Sequence, residues 1–259
     1  MRDSWQRRID RAAYLAEQDE AARPLLDLYR RLLGLQRDCY ESLQCRAARL
    51  TGSLAHDLAA LRPCVPPMLQ AVTTIGPHLA EDARRILDGG DDAIDEMLLA
   101  GWHARAGQQF FSKVALQPYA HYLAVNDVRP IDRDVAGVRN SCPFCGGAPQ
   151  LSILVSAGDG DGGGRQLQCG TCFTTWPLRR VLCAHCGEED ERRLGYYHSP
   201  TFDHLRVDAC DTCQHYLKTV DLTRLGIAVP IVDEVAGAAL DLWAIEHAYQ
   251  KIELNLVGL

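Results

Sequence analysis

The chain has 259 residues, 47% of them hydrophobic, and a formal net charge of −7. That length and apolar content allow about two domains with real cores, so metal is not needed merely to fold every part of it. The acidic balance is a poor electrostatic match for phosphate backbones and argues against a nucleic-acid binder.

The opening run from Met1 to Arg8 lacks the apolar centre of a signal peptide, and no apolar stretch reaches the roughly eighteen residues of a membrane span. A cytoplasmic location is expected. Up to about Val125 the sequence predicts helices. Trp5, Ile9, Ala12 and Ala16 share one helix face. A second helix starts at Pro24, a residue suited to a first turn, and carries Leu25, Leu28, Leu32, Leu35 and Cys39 along a seam. Pro63, Pro66 and Pro67 break the chain before Met68, Val72 and Ile75, and Gly76-Pro77 breaks it again before a helix ending near Gly89-Gly90. Asp91 is a candidate cap for a helix with Ile94, Leu98 and Trp102, and a further helix with Phe110, Phe111, Val114, Tyr119 and Tyr122 surrounds Pro118.

Residues 126–141 read as a linker. From Cys142 short β-prone runs alternate with glycine-rich turns, and Leu151–Val155 with Arg165–Gln168 form a hairpin around a Gly/Asp-rich loop. That loop lacks the twelve-residue ligand pattern and closing glutamate of a calcium site, so it reads as a solvated turn. Beyond Pro230 one amphipathic helix with Leu240, Trp243, His247 and Tyr249 is expected to run to the end and pack on the core.

Eight of the eleven cysteines form two copies of one unit: Cys142, Cys145, Cys169 and Cys172, then Cys183, Cys186, Cys210 and Cys213. Each cysteine of the first recurs 41 residues later, the mark of an internal duplication. An odd count in a large, unsecreted chain argues against a disulfide framework, and the βαβ context of a thioredoxin-type redox pair is missing. Two C-x-x-C knuckles can aim four sulfurs at one tetrahedral ion. The spacing thus predicts two metal ions, iron or zinc, each held by four cysteines within one unit. Gly146, Gly147 and Gly187 ease the first knuckles, and a second hairpin, Leu194–Tyr197 with His204–Val207, follows in the second unit.

A divalent tetrathiolate carries about −2, for which Arg165, Arg179, Arg180, Arg192, Arg193 and Arg206 or backbone N–H groups are candidate compensators. His185 and His215 neighbour the second set, but four cysteines already complete the shell, which leaves the histidines outside it. Cys39, Cys45 and Cys64 read as ordinary core or surface residues. No phosphate loop, zincin motif or nucleophile elbow occurs, and a closed tetrathiolate has no open position for substrate, so no enzymatic activity is expected.

Ser141 to Pro149 (SCPFCGGAP), the pair Cys169/Cys172, Cys183 to Gly187 (CAHCG), Ala209 to Lys218 (ACDTCQHYLK) and Leu240 to Ala244 (LDLWA) resemble the formate dehydrogenase accessory protein FdhE family. The resemblance implies a cytoplasmic assembly factor that binds the catalytic subunit of a respiratory formate dehydrogenase before its export by the twin-arginine route. It also implies iron binding by the eight paired cysteines. The fold expected is α+β: a helical bundle (1–125), a linker (126–141), two rubredoxin-like or zinc-ribbon modules (142–182 and 183–229) and a C-terminal helix (230–259). A different class, a rubredoxin-like electron carrier with two iron centres, uses the same ligands, although Cys169-Gly-Thr-Cys172 and Cys210-Asp-Thr-Cys213 lack the proline and glycine usual in both rubredoxin knuckles. A nucleic-acid-binding zinc ribbon is the third alternative and fits the acidic charge worst.

Overall fold

Helical periodicity in the first half and β-prone runs in the second resolve, in a computed structural model, into two layers joined by one main core. The structure describes residues 4–45, 50–75, 77–104, 110–133, 135, 140–156 and 164–259. The Gly/Asp-rich loop expected between the first two strands falls mostly outside them.

Helices α1 (Ser4–Gln18) and α2 (Arg23–Cys45) form an antiparallel pair. The inward face of α2 differs from the predicted seam. Leu26, Tyr29, Leu33, Gln36, Tyr40 and Leu43 are buried with Leu32 and Cys39, while Leu25, Leu28 and Leu35 are only partly covered. A short helix not expected from the sequence, α3 (Leu54–Leu61), leads through a 3-10 turn to α4 (Val65–Ile75). Pro66 and Pro67 therefore lie inside the first turn of α4, where their missing N–H groups cost nothing, instead of preceding it. Helix α5 (Pro77–Asp88) is followed by α6 (Gly90–His103), and Asp91 sits in the first turn of α6 instead of capping it, paired with Arg62 at 3.1 Å.

Helix α7 (Phe110–Val125) is buried on most sides. Pro118 inside it cannot donate to the carbonyl of Val114, and the side chain of Gln36 supplies that bond at 3.0 Å. Beyond α7, Asp132 accepts hydrogen bonds from the Leu54 amide (2.6 Å) and from Trp102 Nε1 (2.7 Å), which fastens this part of the 126–141 segment to the helices.

Seven strands form one sheet: β1 (Pro149–Val155), β2 (Gly164–Cys169), β3 (Thr175–Leu178), β4 (Leu194–His198), β5 (Leu205–Cys210), β6 (His215–Asp221) and β7 (Gln250–Lys251). Both predicted hairpins are present, and each gains a third strand, β3 or β6, absent from the sequence-based expectation. The order is β3-β2-β1-β6-β5-β4, so the two repeats fuse edge to edge where β1 runs parallel to β6. The single C-terminal helix is corrected to two, α8 (Pro230–Ala236) and α9 (Ala238–Glu246), broken at Gly237. The chain then returns to the sheet as β7, which also pairs with β6. Among the described residues no helix is long and apolar enough to cross a membrane.

Candidate metal centres

In each unit the first C-x-x-C knuckle precedes the unit's first strand, and the second closes the hairpin's far end after β2 or β5. The duplication reaches the backbone. Gly146 and Gly187, one residue past the second cysteine, both have φ near the left-handed region (70° and 79°), as do Phe173 and Gln214 after the last cysteines (63° and 56°). In both knuckles the first cysteine's amide bonds to the carbonyl five residues on: Cys142 to Gly147 and Cys183 to Glu188, each at 2.9 Å.

These turns bring Cys142, Cys145, Cys169 and Cys172 together, and likewise Cys183, Cys186, Cys210 and Cys213, with the four Sγ atoms of each set within 4.8 Å of one another. The closest sulfur pairs lie at 3.6 Å (Cys142, Cys172) and 3.5 Å (Cys145, Cys169) in the first set, and at 3.7 Å (Cys183, Cys213) and 3.8 Å (Cys186, Cys210) in the second. A disulfide needs about 2.05 Å, whereas a tetrahedron with metal–sulfur bonds of about 2.3 Å has edges of about 3.8 Å. The donor sets therefore fit a tetrahedral ion such as zinc or iron, and each could hold one. Burial and the neighbouring sulfurs push the Cys172 thiol well above its ordinary range and burial raises Cys213, while hydrogen bonds from the other sulfurs of its set pull Cys142 down. An ion entering either set must displace protons, so binding strengthens as pH rises.

Four of the six candidate arginines pair with carboxylates. Arg165 and Arg206 both pair with Asp208 (3.0 and 2.7 Å), Arg192 with Asp190 (2.9 Å) and Arg179 with Glu189. Backbone amides serve the sulfurs instead: those of Thr171 and Cys172 point at Cys169 Sγ (3.3 and 3.5 Å), and those of His185 and Cys186 at Cys183 Sγ (3.4 and 3.5 Å). Of the three scattered cysteines, Cys39 and Cys64 are buried and Cys45 is exposed, each far in sequence from the two sets.

The two sets differ in their surroundings. The first is at most 1% exposed at every cysteine and belongs to the main core, packed against the helical half. Gln36 donates to Gln117 (2.8 Å), and Gln117 donates to the carbonyl of Gly170 inside the second knuckle (2.8 Å). His121 lies 3.4 Å from the Cys172 carbonyl through Nδ1, and the Arg8 guanidinium is sandwiched over the rings of Trp5 (4.5 Å) and Phe173 (4.0 Å). Burial, with Arg8 adding to it, lowers His121 to about 4, so this ring is neutral at pH 7. No sequence signal tied His121, Gln117 or Gln36 to the cysteines, since each stands mid-helix with no motif around it. The second set faces outward, with Cys186 exposed and Cys213 half-buried.

Contact between the two knuckles also differs. In the second unit Thr212 donates to Glu188 at 2.6 Å. The equivalent positions in the first are Thr171 and Gly147, and there the backbone itself closes in: a Cβ on Gly147 would lie 3.0 Å from Thr171 Oγ1, 3.1 Å from Cys169 Sγ and 3.3 Å from Cys145 Sγ. Gly147→Ala is expected to cost about 1–3 kcal/mol by crowding the sulfurs, read as a lower melting temperature and weaker metal retention at the first set.

A helical body fused to a duplicated four-cysteine β ribbon defines a class of protein with two sulfur cages and one continuous sheet. Residues 141–180 match the model described as FdhE, central domain, and residues 181–257 that of FdhE, C-terminal domain. Over these residues the chain is similar to the FdhE family. The FdhE homolog of Aquifex aeolicus is 37% identical over 120 residues, 46% of this chain and 42% of the relative. That of Haemophilus ducreyi is 26% identical over 200 residues, 76% of this chain and 63% of the relative. The chain thus spans about half the length of these curated relatives. The crystal structure of the FdhE protein from Pseudomonas aeruginosa superposes with a TM-score of 0.71 at 25% identity, covering 99% of this chain and 96% of that one.

Proposed function

We propose that this protein is a cytoplasmic, non-catalytic accessory factor that binds the catalytic subunit of formate dehydrogenase during its maturation, with Cys142, Cys145, Cys169, Cys172, Cys183, Cys186, Cys210 and Cys213 holding two metal ions, iron or zinc. The observation that carries this reading is the match of residues 141–257, both cysteine units included, to the FdhE central and C-terminal domains. Physical reasoning supports the role given to the metals. Each three-stranded repeat has too few apolar residues for a core of its own, and an ion in each cage makes its knuckles rigid, so that one sheet can present a fixed surface to a large apoenzyme.

The test is affinity capture of the intact chain from anaerobically grown cells, with protein identification and metal content of the captured complex. Recovery of a molybdenum- or tungsten-dependent formate dehydrogenase catalytic subunit, with two ions per accessory chain, is the expected result. Its absence under conditions where that enzyme is being made contradicts the proposal. The exposed Cys186 also gives a rubredoxin-like electron carrier a point of entry to one iron centre, and reversible reduction of bound iron by a reductase would favour that role instead.

A further inference from the structure

The duplication provides an internal comparison. Positions 41 residues apart are equivalent, so His185 and His215 in the second unit correspond to Phe144 and Thr174 in the first. Phe144 is buried and Thr174 Oγ1 lies 3.2 Å from Cys172 Sγ, so these residues help to seal the first cage. Their counterparts are two metal-binding side chains on the outer side of a cage that is partly open to solvent.

The imidazoles of His185 and His215 stack with centroids 3.7 Å apart and planes 11° apart. One donor atom from each and Cys213 Sγ fall within 4.8 Å of one another. His215 Nδ1 is 2.7 Å from the carbonyl of Cys213, and because a carbonyl only accepts, Nδ1 carries the hydrogen. The neutral ring then keeps its lone pair on Nε2, as in many metal-ligating histidines whose other nitrogen is anchored. His185 is exposed, and its ring makes no hydrogen bond among the described residues. Stacked rings have separate planes, so one ion cannot lie in both at once; the unanchored His185 is the ring that must swing for both to bind.

We propose that His185, His215 and Cys213 form an entry and exit site for a divalent ion of the zinc or ferrous class, sharing Cys213 with the second cage. The inference rests on the second cysteine set being a metal site. His185 is the arm that takes the ion from solvent, and His215 holds it beside Cys213. Transfer inward is ligand exchange: the two imidazole nitrogens and one bound water are replaced by the thiolates of Cys183, Cys186 and Cys210, and the displaced thiol protons leave to water. The metal keeps its oxidation state throughout. The first cage has neither the histidines nor the opening.

The test uses the full chain loaded with zinc, challenged with the colorimetric chelator 4-(2-pyridylazo)resorcinol in a stopped-flow instrument. Two ions per chain should leave in two phases, one fast and one slow. By microscopic reversibility entry and exit share a path, so the double variant His185→Asn/His215→Asn should still bind two ions but release the fast one about tenfold more slowly. The single variant His185→Asn, at an exposed ring, should show the same slowing, and an unchanged slow phase reports an intact fold. A fast phase of unchanged rate with two ions bound overturns the entry site. So does a double variant that binds only one ion, because the histidines would then be resident ligands. A wild-type chain that binds no zinc or iron removes the metal cages themselves, a failure told apart by its stoichiometry.

Discussion

Cys142→Ser with Cys145→Ser is expected to leave one bound ion and to dismantle the junction between helices and sheet, whereas Cys183→Ser with Cys186→Ser is expected to remove one ion and leave the helical half melting cooperatively. The asymmetry follows from position. The first set is part of the main core beside Phe173, Trp5 and His121, and its second knuckle receives the Gln117 hydrogen bond from α7. The second set lies outside that core, next to a smaller cluster built on Val207, Tyr216 and Leu240. A structural tetrahedral ion contributes about 10–16 kcal/mol to the fold that it organises, comparable with or larger than a domain's whole stability of about 5–15 kcal/mol. Thermal melts followed by far-UV circular dichroism, with metal content measured on the same samples, compare the two variants. Equal loss of helical cooperativity in both would contradict the assignment of the first cage to the core.

Lys218→Met is the second large effect, expected to cost about 3–5 kcal/mol although methionine is the more apolar residue. Lys218 stands in the middle of β6 with no exposure, and its Nζ lies 3.0 Å from Glu234 Oε1 and bonds to Asp241. Lys251 reaches the same two carboxylates, at 2.9 Å for Asp241, and Tyr216 donates to Asp241 at 2.8 Å. Gln150 and Asn255 each donate to Glu234 Oε2 at 3.2 Å. Removing one cation leaves buried negative charge with half its compensation, and Lys218→Met with Asp241→Leu should recover most of the loss.

The network also sets a pH dependence. Burial alone would raise Glu234, but the charges of Lys218 and Lys251 hold it at about 2 against an ordinary value of 4.5. A carboxyl depressed in the folded state gives stability that is present above 4.5 and lost as pH falls through 4.5 toward 2. Chemical denaturation at pH 7 and across the acid range measures both effects, and a change below about 1 kcal/mol in Lys218→Met at pH 7 would contradict the account.

The sulfur cages were legible in the sequence because ligand spacing is local: a C-x-x-C knuckle is fixed by four residues, and a repeat at constant offset pairs the knuckles. The hairpins between them were legible for the same reason. The third strands were not. β3 is four residues long and contains Pro177, tolerated because β3 is the sheet's edge. β6 carries a lysine at its centre, which reads as solvent-facing until Glu234 and Asp241 arrive from α8 and α9, elements that themselves look like surface helices. In the C-terminal segment the predicted face holds at Leu240, Trp243 and Tyr249, which pack in the smaller core, while His247 is exposed and Asp241, which the apolar pattern does not mark, is buried. Gln36 behaves likewise: a polar residue in the seam of α2 makes sense only once Pro118 has left the Val114 carbonyl without its helical donor.

Two sulfur-bound ions per chain underlie every role proposed above, and X-ray absorption on the purified, reduced protein, paired with its elemental metal content, measures them directly. Two ions per chain, each with four sulfur neighbours at about 2.3 Å, is the predicted result. A chain that carries no stoichiometric metal and keeps its near-UV circular dichroism after treatment with a strong chelator would contradict it.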